Sequence, residues 1–433
     1  MAYLRAVKRH PVGRSARVGT ALTAALLLAV ASACGTSAGP RATGPTHGRL
    51  LVSDAAVASP SADTSYQALT RGMRALGSEL AQRLPSTDGN LVFSPASLSI
   101  DFAMLREGAA GSTATNLDSV LQLPANRRPA VNGLLHAMSY PGAGNLLQVS
   151  DGLFTAPGFA VRSSYLRAIK RWYDAGVQQV AFPQPALRVI NSWVAERTHG
   201  RIPMLFQSFD PSTVAVLVNA IYLDAKWANP FLAPETTPRP FTTSAGDQVN
   251  VKTMRLTAKF DYASGRGWQA VRLPYRGDRL SMWVLLPRRS TKVPTAASTP
   301  GSLDHLLLPK TLAAVGAGFR LRPVAVSLPR WHTTSQLNLL GVLEHLGLRT
   351  GGDFSALSPT SGLSVSQVVQ AANITVGEKG TVAAAATGIA VATSAQAPPP
   401  GLVRFDADHP FAYVIADNTT GAPLFEGTVG DPS

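Results

Sequence analysis

Residues 378–393 read Glu378-Lys379-Gly380-Thr381-Val382-Ala383-Ala384-Ala385-Ala386-Thr387-Gly388-Ile389-Ala390-Val391-Ala392-Thr393. Two charges and a glycine open the stretch, and from Thr381 to Ala397 it carries neither charge nor proline. A surface loop is normally marked by Gly, Pro, Asn, Asp and charge. Here small neutral side chains could enter a sheet without clash, desolvation cost or a lost ladder hydrogen bond. An Ala-rich linker or a core helix would share this composition, so the rest of the chain has to decide. Downstream lies Ala397-Pro398-Pro399-Pro400-Gly401, a stiff spacer. Phe405 to Ile415 then ends in the apolar pattern of a buried strand.

The chain has 433 residues, 45% hydrophobic and 15% charged, the balance of a folded globular protein. Its length is compatible with one large domain. Of the +14 net charge, five positive charges (Arg5, Lys8, Arg9, Arg14, Arg17) lie in the first 17 residues. No dense Lys/Arg stripe is interleaved with aromatics, so nothing indicates a nucleic-acid partner. The cluster Arg162, Arg167, Lys170, Arg171 reads as a solvated helix face. No ligand constellation for a metal and no cofactor-binding loop is present.

Residues 1–33 have the three parts of a secretory signal: a basic region to Arg17, an apolar region over Ala21–Ala31, and the small residues Ala31-Ser32-Ala33. The apolar part is short for a bilayer span. Cys34, the single cysteine, follows at once, where a lipoprotein signal places its lipid-modified residue. Against that, Ala31 occupies the place where lipoprotein signals prefer Leu. The expectation is export, with the protein either anchored to the cell envelope through lipid on Cys34 or secreted. With one cysteine no internal disulfide can form. Residues 34–65, rich in Gly, Ser, Thr, Ala and Pro, read as a flexible tether. Gly35-Thr36-Ser37-Ala38-Gly39 within it formally matches a hydrolase nucleophile elbow. That motif needs a strand before and a helix after, and neither pattern is there.

From Tyr66 the pattern becomes regular. Leu69, Met73, Leu76 and Leu80 predict a helix within 66–84. Next come Asn90-Leu91-Val92-Phe93-Ser94-Pro95-Ala96-Ser97, a short strand running into a helix start that Ser94 and Pro95 favour. Asn191 to Ile202 reads as a helix and its end. Val216-Leu217-Val218-Asn219-Ala220-Ile221-Tyr222-Leu223-Asp224-Ala225-Lys226-Trp227 is a near-continuous apolar run, as expected of a strand covered on both faces. Val271–Tyr275, Leu280–Pro287, Val326–Arg330, Leu339–Leu348 and Gly421–Val429 follow in order. Together with the 378–393 stretch, this ordered set across residues 66–433 resembles the serpin family.

The resemblance implies an α+β fold of about nine helices around three β-sheets, with a large central sheet A and an exposed reactive-centre loop. It implies a suicide-substrate inhibitor, not an enzyme: a serine protease attacks the loop and forms a covalent acyl complex. The freed loop then enters sheet A as a new strand. At about 3.3 Å per residue, some 14 inserted residues span roughly 45 Å. The hinge would be Glu378, Gly380, Thr381, Ala383, Ala384, Ala385 and Ala386. If Thr381 points inward, so do Ala383, Ala385, Thr387, Ile389 and Val391. Family spacing places the cut at Ser394-Ala395, within a window from Ala392 to Ala397.

With no Lys, Arg or aromatic residue between Gly380 and Val403, the bait suits shallow pockets of elastase or subtilisin type. Ser94, Ser97 and Asn219 match the family's shutter, and Trp227 its breach. Gln370 stands where many relatives have a shutter His, and keeps a donor and an acceptor without pH dependence. Glu378 is expected to meet Arg330. A monomer without cofactor or metal is implied. A non-inhibitory serpin acting as a binding or carrier module is the second reading, and a bulky or charged hinge, absent here, would favour it.

Overall fold

Ser94 shows how local sequence builds this fold. Its backbone is extended (φ −123°, ψ 103°), its side-chain oxygen accepts from the Ser97 N–H at 3.1 Å, and Pro95 takes the first helical position. A hydroxyl cap and a donor-free proline together satisfy or remove the N–H groups that a helix start leaves open. The resulting helix is buried from Pro95 to Met104.

The computed structural model describes residues 48–60, 66–139, 144–288, 303–365, 367–381 and 399–433. The first elements in chain order are β1 (Arg49–Leu51), α1 (Gln67–Ala81), β2 (Leu91–Phe93), α2 (Pro95–Arg106), α3 (Gly111–Val120), α4 (Arg127–Met138), β3 (Leu146–Thr155) and α5 (Ser163–Tyr173). Then come β4 (Val177–Gln179), α6 (Gln184–Arg197), β5 (Ala215–Lys226), β6 (Thr237–Thr242), β7 (Gln248–Gly265), β8 (Trp268–Pro274) and β9 (Leu280–Pro287). The last are α7 (Pro309–Gly318), β10 (Arg320–Pro329), β11 (Trp331–Asn338), α8 (Leu340–His345), β12 (Val369–Gly377), β13 (Gly380–Thr381), β14 (Val403–Asp406), β15 (Phe411–Asp417) and β16 (Pro423–Val429). Eight α-helices are thus present among the described residues.

One sheet runs β1-β4-β3-β5-β13-β12-β11. The other runs β14-β10-β7-β8-β9-β15-β16-β2, with β6 on the side of β7. The second and third expected sheets are one hydrogen-bonded network here, because β7, 18 residues long, serves both. Its first part pairs β6, its last part pairs β8, and β10 runs beside it between them.

The apolar run over 216–227 behaves as a doubly covered strand. Val216 and Val218 face α6 with Ile190 and Val194. Ile221, Leu223 and Ala225 face the main core. Behind the seven-stranded sheet, Trp331 of β11 packs edge-on against Phe411 of β15 at 5.4 Å, joining the two sheets. The helix predicted from Leu69, Met73, Leu76 and Leu80 is α1, and all four side chains are buried.

Residues 48–60 depart from the tether expectation. Arg49–Leu51 pairs antiparallel with β4 as an added edge strand, and the Ala58 N–H donates to the Arg171 carbonyl at 2.7 Å. Leu50-Leu51-Val52 is an apolar run within a polar stretch, and β4 offers it an unpaired edge. The remaining tether residues, the signal, Cys34 and the Gly35–Gly39 motif lie outside the described residues.

One buried acid sits in the core. Glu426 on β16 is fully buried against α1, and neither carboxylate oxygen has a hydrogen-bond partner among the described residues. Burial pushes its carboxyl up to about 8, with Arg74 opposing. The native state therefore holds this proton more tightly than the unfolded chain does. Its contribution to stability is complete below the unfolded pKa and is lost as pH rises through about 8. Replacing Glu426 by Met should raise the melting temperature by several degrees at pH 9 and far less at pH 5, as read by scanning calorimetry.

Candidate functional site

β5 and β12 run parallel, and among the described residues no hydrogen-bonded register joins them directly. Only β13 lies between them. Gly380 pairs with Lys226 on one side and Gly377 on the other, and Thr381 with Ala225 and Val376. Thus the first two residues of the 380–397 stretch occupy the top of the seam. Thr381 is 2% exposed, so its side chain points into the core. Gly380 has φ +152°, and a Cβ there would stand 2.0 Å from the Ala225 carbonyl oxygen. Only glycine fits at that approach.

An aromatic pair closes the top. Trp227 stacks on Tyr275 with centroids 4.4 Å apart and planes within 11°. The Trp227 indole N–H donates to the Gly377 carbonyl at 2.9 Å, and its backbone N–H to Lys379 at 2.8 Å. The Tyr275 and Thr381 hydroxyls share a hydrogen bond at 2.6 Å. Burial pushes the Tyr275 phenol upward, outweighing the Thr381 bond, so it stays a neutral hydroxyl. Tyr275 lay in a quoted motif, but only the fold brings it against Thr381.

Glu378 is placed less simply than expected. Its Oε1 accepts from the Thr236 hydroxyl at 3.0 Å, while Arg330 approaches only to 3.7 Å with a half-exposed side chain. The ion pair exists, but geometry and solvent leave it a contribution near ~0–1 kcal/mol. Thr236 carried no sequence signal.

Beneath the sheet, Ser94, Ser97, Asn219 and Gln370 meet. Gln370 on β12 uses both ends of its amide on one residue: Oε1 accepts from the Ser94 N–H at 2.9 Å, and Nε2 donates to the Ser94 carbonyl at 3.1 Å. The Ser97 hydroxyl donates to Asn219 Oδ1 on β5. Asn219 Nδ2 in turn donates to Asp151 Oδ1 on β3 at 2.6 Å. Helix α2 is therefore tied to β12 through Ser94 and to β5 through Ser97. Asp151 was missed in the sequence, and so was Asp101, although a lone acid in the apolar helix around Ser97 was a readable signal.

Below β13 a cleft of about 270 Å³ opens where β5, β12 and α2 converge. Leu98, Phe102, Leu217, Leu363 and Val368 form its apolar wall. Such a space suits small neutral side chains arriving on an added strand. Ala383, Ala384, Ala385, Ala386, Ser394 and Ala395 lie outside the described residues. Among the described residues no group of three or more His, Cys, Asp or Glu side chains could hold a metal ion.

The profile of the family described as Serpin (serine protease inhibitor) matches residues 71–432. The chain belongs to the serpin family. Plasminogen activator inhibitor 1 of Neovison vison is 33% identical over 364 residues, covering 80% of this serpin and 88% of that protein. Leukocyte elastase inhibitor A of Mus musculus is 33% identical over 371 residues, covering 82% and 97%. The native-state crystal structure of tengpin, a thermophilic serpin, matches with a TM-score of 0.78 over 87% of this chain and 97% of that one. At 23% identity that likeness speaks for the fold. Serpins are mostly protease inhibitors and not catalysts, and both named relatives carry an inhibitor's name.

Replacing Gly380 by Ala should drive the hinge out of the seam, because the added methyl meets the backbone of Ala225. Amide exchange at Thr381 and Ala225 should then quicken by about tenfold or more, the loss of roughly one hydrogen bond's protection. Unchanged exchange at both amides would refute this account of the hinge.

Proposed function

We propose that this serpin is an exported suicide-substrate inhibitor of serine proteases that cut after small residues, of elastase or subtilisin type. The observation that carries the reading is the hinge itself. Gly380 and Thr381 already stand hydrogen-bonded between β5 and β12, with Thr381 buried against Tyr275. The residues that would follow into the seam are Val382 and then Ala383 to Ala386, none charged and none larger than valine.

In this reading the protease attacks Ser394-Ala395 and becomes acylated. The loop then continues along the path that Thr381 has begun, and the cleft below takes up its inward side chains. Insertion has to outrun hydrolysis of the ester. Every charge avoided on the inward face lowers the desolvation cost of each step. Ser94, Ser97, Asn219 and Gln370 hold the seam shut until then, and Trp227 with Tyr275 guides the hinge. The protein acts as a monomer. Its one membrane contact is lipid on Cys34, or it is released outside the cell if that residue is left free.

Incubation with a pancreatic-type elastase should give a covalent complex stable in SDS, and the released C-terminal fragment should begin at Ala395. Cleavage without any complex would favour the binding-module reading instead. Replacing Thr381 by Arg should turn the inhibitor into a substrate, because a cation would have to be buried beside Tyr275. Complex formation at the unmodified rate by that variant would refute insertion as the mechanism.

A further inference from the structure

Two carboxyl groups meet under the seven-stranded sheet. Asp101 lies on α2, one turn beyond Ser97, and is 8% exposed. Asp151 lies on β3 directly opposite Asn219 of β5. The two acids are near enough for each to act on the other's titration, and a proton on either would let it donate to its neighbour. Asn219 supplies Asp151 with a hydrogen bond at 2.6 Å. Asp101 Oδ1 has no hydrogen-bond partner among the described residues, and Asp101 faces the apolar cleft below the seam.

Among the described residues no cation is paired with either acid. The titratable and charged groups around the polar cleft on its other side, about 460 Å³, are Tyr173 and Asp174 from α5 and Arg197 from α6. Arg197 lies over the Trp193 ring, 5.7 Å from its centroid, and forms no ion pair with Asp151 among the described residues. Glu107, farther along α2, has its own partners in Arg127 and Arg128. The seam-side cleft contributes no titratable group besides Asp101. Burial first, and then the neighbouring Asp151 charge, hold the Asp101 carboxyl well above the usual carboxylate range. Burial also raises Asp151, against the bonds it receives from Asp101 and Asn219. Asp151 is half-buried and borders the polar cleft, which gives solvent protons a route to the pair.

We infer that the Asp101–Asp151 pair is a proton-dependent latch on sheet opening: protonated, it ties α2 to β3 and β5, and ionised, it releases them. The inference rests on the insertion reading above. To admit a strand between β5 and β12, β5 and β3 must slide over α2, while β12 stays tied to it through Gln370 and Ser94. With one proton present, that slide breaks a buried carboxyl–carboxylate hydrogen bond. Without it, two anions face each other in an apolar setting and the contact turns repulsive. The sign follows from linkage. A carboxyl raised in the closed native state stabilises that state at low pH, and the stabilisation is lost as pH rises through the native pKa. Gln370, being neutral, leaves the acid pair as the titrating element of this network.

The test uses the full chain and follows conversion of the native protein to the heat-resistant, loop-inserted form at fixed ionic strength from pH 4 to 9. The conversion rate of the unmodified protein should rise by about tenfold or more across this range, equivalent to one pK unit of differential interaction. Asp101→Asn and Asp151→Asn, which cannot form the two-anion state, should hold the slow low-pH rate within about twofold at every pH. A flat profile for the unmodified protein, or an unchanged slope in both variants, overturns the latch while leaving insertion intact. If loop nicking confers no heat resistance at any pH, the insertion reading falls and the latch with it. Should Asp101→Asn fail to fold, the unmodified profile and Asp151→Asn decide the question alone.

Discussion

The rest of the molecule depends on a seam: two parallel strands, β5 and β12, held in one sheet by a two-residue strand inserted at one end. On the other side of β5 the contrast is plain, since β3 and β5 share a register of ten pairs. A register of that length distributes its hydrogen bonds along the whole strand, and parting it would break them together. The seam concentrates its bonds at Gly380 and Thr381, so it can be lengthened from that end without first being broken. The geometry needs glycine where the backbones crowd and a small hydroxyl where the core begins, and both are present.

Underneath the seam lies a set of buried polar links. Helix α2 is buried from Pro95 to Met104, which is unusual for a helix carrying two serines and an aspartate. The cap and two of these groups meet the strands above: the Ser94 backbone bonds Gln370, Ser97 bonds Asn219, and Asp101 faces Asp151. Each strand is thus registered against one rigid rod and not against its neighbour across the gap. Buried polar links of this kind favour one arrangement more than they add stability, since every partner lost leaves an unsatisfied group in the core. Opening the sheet means exchanging these links in sequence.

Much of this was legible before folding. The near-continuous apolar run of β5, the capped start of α2 and the absence of charge after Gly380 are local properties of the chain. The tether expectation failed at residues 49–51 because a short apolar run is ambiguous until an unpaired strand edge is known to lie nearby. Thr236 displaced Arg330 as the main partner of Glu378 for a related reason: an exposed Arg competes with water, whereas a neighbouring hydroxyl needs no such competition.

By itself, the sequence determined which segments could be strands and helices, and that the stretch after residue 380 could be buried without desolvating a charge. These follow from side-chain size, polarity and period, which each residue carries wherever it goes. Only the tertiary structure decided that Trp227 would stack on Tyr275, that Thr381 would already be inside, and that Asp101 and Asp151 would be brought together. Such contacts join residues 48 to 106 positions apart. Their energies arise from the low dielectric and close packing that exist only once the sheets and α2 have assembled.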